Sequence, residues 1–385
     1  MDHLTSVLLQ LFVLLLAAKL GDELFKRLGL PALIGEILGG VLVGPSVLGW
    51  YAIGPETQLF AEIGVVLLLF QVGLEVRLPE LVRVGGTALI VAVLGVILPL
   101  AGGIGLGLAL GHPTEVAIFV GAALTATSVG VTARALQPLG LMSSQIGRVI
   151  IGAAVVDDVL AMLILAVAGG LAGGGLDPLR IAGTLAVALA FIGLVGVGGT
   201  RLLSRHRALL TEPRFAETPF LPGMLLMLGL AAASAAIGLA AIIGAFLAGL
   251  VAGESSERHA LEAEVAPVAA FFTPFFFGAI GAQVQLSSLG DPAVLGVAVL
   301  ITLVAIATKL VGAFAGALRL GGRAAAVVGW GMVPRGEVGI VVAALGLQLG
   351  TIDGGLYAAV VTMCVATTLL VPPLLPLLAR RAGRT

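Results

Sequence analysis

Apolar residues run along this chain in blocks of about twenty, and polar residues fall almost entirely between the blocks. The blocks are Leu4–Leu20, Pro31–Trp50, Gln58–Val76, Thr87–Leu110, Val116–Ala133, Val149–Gly170, Ile181–Thr200, Val265–Val284, Val294–Leu318, Ala324–Leu347 and Leu356–Leu378. Each is near the length of roughly 20 residues that a helix needs to cross the hydrocarbon of a bilayer. A further stretch, Leu221–Gly253, carries no charge at all. As one helix it would measure about 50 Å, too long for a single crossing, so the pattern predicts two short helices split around Gly238. The resulting fold class is an all-α integral membrane protein with thirteen transmembrane helices.

Charge placement supports that number. With the N-terminus outside and the C-terminus cytoplasmic, seventeen of the twenty Lys and Arg residues fall on the cytoplasmic side. Only Arg180 falls outside, and Lys309 and Arg335 remain within the membrane. That is a strong positive-inside bias, and a twelve-helix reading would lose it from Gly253 onward. The first block lacks the positive flank of a secretory signal, since Met1-Asp2-His3 precedes it and Lys19 follows, so it reads as a retained helix. No hydrophilic domain follows the last block, which reads as a membrane domain and little else.

Composition agrees and adds exclusions. The 385 residues are 59% hydrophobic and 11% charged, where soluble proteins carry about 25% charged residues. Soluble enzymes, nucleic-acid binders and disordered scaffolds are excluded. A net charge of −1 gives no sign of a charged macromolecular partner. The single Cys364 allows no disulfide framework and reads as a small apolar residue. His3, His112, His206 and His259 all avoid the middle of apolar blocks, which argues against a histidine relay or histidine metal site.

The two halves of the chain resemble each other at an offset of about 209 residues. Leu33–Gly44 parallels Ile242–Gly253, Val72–Leu78 parallels Ile280–Leu286, and Thr127–Val131 parallels Gly336–Ile340. Residues 1–172 then form a first repeat of six helices, 180–203 a connecting helix, and 218–379 a second repeat. An odd connector inverts the second copy, and inverted repeats mark secondary transporters. In such proteins helices broken at matching positions mark the transport site. The fifth helix reads Leu124-Thr-Ala-Thr-Ser-Val-Gly-Val131 and the twelfth Gly329-Trp-Gly-Met-Val-Pro-Arg-Gly-Glu-Val-Gly339. Glycine, proline and hydroxyl side chains at mid-span predict two crossed breaks; two merely kinked helices packed through small residues are the bland alternative.

Five charges fall at or near the middle of the membrane: Asp157, Asp158, Lys309, Arg335 and Glu337. Each costs about 2.5–3.5 kcal/mol at the bilayer centre on insertion scales, so they must be paired or hydrated. Arg335 and Glu337 are expected to neutralise each other, or the freed ends of the opposite broken helix. Asp157 and Asp158 diverge by about 100° on a helix. One can face the fixed cation Lys309 while the other faces a water-filled cavity and takes a travelling ion. A carboxylate suits a small alkali cation and also binds protons, so the two can compete for one site. Lys309 is then a possible second proton carrier; the alternatives are a structural network and a snorkelling lysine. Thr127 and Ser128 offer oxygens in the first break. Glu75 reads as a solvated flank, and Glu36, about a turn inside the membrane, as a candidate lining of an entrance.

These motifs together resemble the cation:proton antiporter-2 family, in its branch of bacterial Na+/H+ antiporters of the NapA type. The resemblance rests on Gly152–Val159 with its double aspartate, Ala126–Arg134, Met332–Gly339, Lys309 and Ile34–Pro45, and covers essentially the whole chain. It implies a homodimer in the bacterial inner membrane, with a dimerisation part at 1–78 and 218–286 and a moving core at 87–172 and 293–379. It implies Asp158 as the Na+-binding carboxylate, Asp157 as the partner of Lys309, and Thr127 with Ser128 at the crossover. The double aspartate implies electrogenic exchange of Na+ or Li+ for H+ by alternating access, with no cofactor and no enzymatic activity. A K+/H+ antiporter is the alternative within the family. A sodium-coupled organic-anion symporter would need fewer mid-membrane charges. An intramembrane aspartyl protease needs carboxyls brought together from two helices, and a channel needs a filter or charged ring that is not seen here.

Overall fold

The structure, a computed structural model, describes residues 3–28, 30, 32–76, 78–172, 178–205 and 218–382. His206 lies outside them, as do the side chains of Arg180 and Glu337. Every regular element in these residues is helical: α1 (His3–Arg27), α2 (Ala32–Val43), α3 (Pro55–Glu75), α4 (Leu78–Ala109), α5 (Thr114–Ala123), α6 (Val129–Leu136) and α7 (Gln145–Ala172) make up the first part of the chain. Then come α8 (Pro178–Ile192), a π-helical turn through Gly193–Gly199 and α9 (Thr200–Arg205), which continue one another. The rest is α10 (Phe220–Ala236), α11 (Ala241–Ala252), α12 (Arg258–Ala282), α13 (Pro292–Ala317), α14 (Gly322–Gly331), α15 (Glu337–Gln348) and α16 (Gly354–Ala382).

Local chemistry explains several boundaries. Asp291 caps α13 by accepting from the Ala293 amide at 2.8 Å, with Pro292 in the first helical turn, where no amide is needed. The uncharged Leu221–Gly253 stretch divides at 237–240, where Gly238 adopts a φ of +83°, a conformation that side chains resist. The Ser234 hydroxyl closes that turn by donating to the Ala240 carbonyl at 2.8 Å. Both expected breaks occur. Residues 124–128 separate α5 from α6, and 332–336 separate α14 from α15.

Among the described residues seven helical spans are long and apolar enough to cross a membrane, and α2, α5, α10 and α11 are among the shorter apolar helices. The chain is thus a multi-pass helical protein with an apolar exterior. One face of α1 exposes Leu4, Leu8, Phe12, Leu16, Leu20 and Leu24, four residues apart, as a hydrocarbon-facing helix does.

The helices pack in two groups. In one, α1 lies on α2, and α3 lies against α11 and α12, with α10 on α11. In the other, α4 packs on α13, α7 and α5, and α16 packs on α13, α14 and α15. The groups meet where α6 touches α2 and α3 and where α16 touches α2.

Candidate ion-binding site

The two breaks touch through their backbones. The Ser128 amide donates to the Pro334 carbonyl at 2.9 Å, so a group freed by one break satisfies a group freed by the other. Thr132, one turn into α6, donates to the Gly331 carbonyl at the end of α14 at 2.7 Å. Such an approach leaves no room at position 336, where a Cβ would lie 2.6 Å from the Ser128 Oγ. Glycine is needed there for the crossing itself.

Lys309 reaches this point from α13. It is fully buried, so the snorkelling alternative is excluded. Its Nζ donates to Asp157 Oδ2 at 2.5 Å, to the Gly95 carbonyl at 2.7 Å and to the Thr125 carbonyl at 2.8 Å. Three donors meet three acceptors, which is the full capacity of an ammonium group. Gly95 on α4 permits the contact, because a Cβ there would sit 3.3 Å from Lys309 Cε and Nζ.

Asp157, on α7, is also fully buried. Its Oδ2 takes a second hydrogen bond, from Thr127 Oγ1 at 2.7 Å, while Oδ1 has no hydrogen-bond partner among the described residues. Asp158 is 3% exposed and lies about 100° further around the same helix. Asp157, Lys309, Thr127 and Ser128 are therefore brought together at the crossing, with Asp158 beside them.

Arg335 takes the second of its two expected arrangements. Its Nη1 donates to the Ala126 carbonyl at 2.9 Å and the Thr125 carbonyl at 3.4 Å, and Nη2 to the Ala305 carbonyl at 3.4 Å. A fully buried guanidinium thus sits on carbonyls that the first break frees, where partial negative charge gathers. The expected partnership with Glu337 lies outside the described residues.

Two site residues escaped the sequence reading. Thr367 Oγ1 accepts from the Arg335 amide at 3.1 Å, and Thr368 Oγ1 donates to the Arg335 carbonyl at 2.6 Å. Their signal was present: at the repeat offset they fall opposite Asp157 and Asp158. Glu75 needs a correction. It is half-buried and accepts from Gln137 Nε2 at 3.1 Å, so it is a partnered side chain and not a solvated flank. Glu36 is fully buried, with Lys19 Nζ at 3.6 Å and Arg134 Nη2 at 4.0 Å. Among the described residues no three His, Cys, Asp or Glu side chains converge as a metal-ligand set.

Comparison with known proteins agrees with this geometry. Residues 11–380 match the family model described as the transmembrane sodium/hydrogen exchanger. The high-affinity Na+/H+ antiporter NhaS3 of Synechocystis is 39% identical, over 96% of this chain and 89% of its own. The Na+/H+-K+ antiporter GerN of Bacillus cereus is 34% identical, over 95% of this chain and 94% of its own. Among solved structures, the sodium proton antiporter MjNhaP1 of Methanocaldococcus jannaschii superimposes with a TM-score of 0.71, covering 100% of this chain and 98% of its own. At 19% identity that likeness is one of fold.

Proposed function

The chain belongs to the transmembrane sodium/hydrogen exchanger family, and from that premise we propose that it exchanges Na+ or Li+ for H+ across a bacterial inner membrane. The observation that carries the reading is a buried Asp157–Lys309 pair next to a second buried carboxylate, Asp158, where two helix breaks cross.

In this reading Asp158 is the exchanging group. On one side of the membrane it gives up a proton and accepts a sodium ion; on the other an arriving proton displaces the sodium. Asp157 is engaged by Lys309 and Thr127 and supplies fixed structure. One Na+ for one H+ moves no net charge, so electrogenic exchange requires an additional proton per sodium ion. Lys309 is the group to carry it, because leaving Asp157 lets its ammonium become a neutral amine in a dry setting. Thr127 and Ser128 offer oxygens to the passing cation. Arg335, with Glu337, compensates the charge of the broken helices.

Alternating access then takes the form of a core, 87–172 and 293–379, sliding against a scaffold of 1–78 and 218–286. The helix segments support thirteen crossings in two inverted repeats, with residues 180–203 as connector. The exposed leucine face of α1 supports a lipid surround, and a second copy as partner rests on the family likeness.

The test is collapse of a pH gradient in proteoliposomes, with each alkali cation added in turn. Na+ and Li+ should collapse it and K+ should not. Collapse by K+ alone would replace this reading with K+/H+ exchange.

A further inference from the structure

Two acidic side chains outside the ion site act on the C-terminal end of α6. Glu36 of α2 and Glu75 of α3 belong to the group containing α1, α3, α11 and α12, whereas α6 is half of the first broken helix. Arg134 in the last turn of α6 and Gln137, which caps it with helical dihedrals, lie three residues apart and so share a face. Glu75 accepts from Gln137 at 3.1 Å, and Glu36 lies 4.0 Å from Arg134. This is also where the two helix groups meet.

The two contacts differ in kind. Glu75 makes a formed hydrogen bond. Glu36 is 0% exposed, yet neither of its oxygens has a hydrogen bond among the described residues; Lys19 at 3.6 Å and Arg134 at 4.0 Å attract it without completing one. Lys19 is itself shared with Asp22, at 3.6 Å. A buried carboxylate in that condition gains steeply from a cation that comes closer and loses steeply from one that withdraws. Its energy therefore depends on where α6 stands. There is room for α6 to shift: a cavity of about 860 Å³, walled by Lys26 and Leu33 on one side and by Arg134, Gln137, Pro372 and Leu377 on the other, separates the groups beside these contacts.

We propose that Glu36, assisted by Glu75, is a positioning residue that clasps the last turn of α6 through Arg134 and sets the ratio between the two orientations of the core. The proposal rests on the antiport reading only in taking α6 to ride on the moving part. Neither carboxylate meets the transported ion. Each biases the step that carries the ion site across.

The test uses the full chain in proteoliposomes, in a Cys364→Ala background, with spin labels at Leu24→Cys and Leu318→Cys. Both positions are more than half exposed; Leu24 is on α1, and Leu318 directly follows α13, in the other helix group. Distance distributions between the labels read the two orientations directly. Glu36→Gln and Arg134→Gln should each shift the ratio of the two populations by about fivefold or more, the lower end of measured coupling between linked sites. The double variant should shift it no further, and Arg134→Lys should restore much of the wild-type ratio. Unchanged distributions in both single variants, or shifts that simply add, would overturn the proposal. Should Glu36→Gln fail to fold, Arg134→Gln carries the test, because Arg134 is partly exposed and its loss opens no buried hole. Sodium-driven proton movement by the wild-type chain in the same vesicles tests the antiport reading separately. Its absence alongside a shifted distance ratio would leave the clasp standing and remove the transport assignment.

Discussion

The helices α7 and α16 fall at corresponding places in the two halves of the chain and do a related job with opposite chemistry. Each reaches a broken helix of its own half with side-chain oxygens. α16 does so with Thr367 and Thr368, which accept from and donate to the backbone of Arg335 at 3.1 and 2.6 Å. α7 does so with Asp157, which accepts from the Thr127 hydroxyl at 2.7 Å. Threonines satisfy the freed backbone and stop there, since a neutral hydroxyl neither titrates nor needs a counter-ion. Aspartate at the same place brings a charge that must be balanced, and Lys309 balances it with one of its three N–H groups while the other two go to the Gly95 and Thr125 carbonyls. The neutral side holds a break open. The charged side holds a break open and adds a buried ion pair.

That contrast can be broken at its most expensive point first. Lys309→Gln removes the counter-charge of Asp157 and should cost about 3–5 kcal/mol, the usual penalty for stranding one member of a buried pair. It appears as a lowered thermal midpoint in detergent, and in the surviving protein as a changed charge per cycle in membrane-current recordings. An unchanged current would make the lysine purely structural. Thr127→Val and Thr368→Val then compare the two sides at equal chemical cost, one hydroxyl each. Thr127→Val loses a hydrogen bond to a charged group, about 1.5–3 kcal/mol, and should weaken exchange as well as stability. Thr368→Val loses a neutral one, about 1 kcal/mol, and should leave the apparent KM for sodium within about twofold. Equal effects of the two on KM would mean that the halves are not divided in this way.

Much of this arrangement was legible in the sequence, for physical reasons. Runs of apolar residues set helix lengths because a bilayer has a fixed thickness. The turn at Gly238 followed from the length of an uncharged stretch, and the breaks at 124–128 and 332–336 from glycine, proline and hydroxyls at mid-span. Charges are so costly in hydrocarbon that Asp157 and Lys309 almost had to find each other. The sequence offered Arg335 the freed ends of the opposite break as one of two partners, but it left hidden which backbone carbonyls each buried cation ends on. The acceptors of Arg335 are Ala126, Thr125 and Ala305, and a second acceptor of Lys309 is Gly95. Every residue has such an oxygen, so no side-chain identity announces it. The π-helical turn at Gly193–Gly199 was hidden likewise, since its glycines read as ordinary small residues of a membrane helix. Glu75 misled in the other direction. Its place at a helix end suggested solvent, and only the packing of the two groups brings Gln137 to it.

In the proposed exchange one carboxylate, Asp158, takes sodium or a proton but not both at once. Equilibrium binding of radioactive sodium to the purified chain across a pH series tests it without any need for transport. The apparent Kd for Na+ should rise as pH falls, by up to about tenfold per unit where one proton competes, because each ligand must weaken the other reciprocally. Asp158→Asn should abolish the binding and leave the protein folded, while Thr368→Val keeps both the binding and its pH dependence. Sodium binding that ignores pH, or that survives in Asp158→Asn, would contradict it.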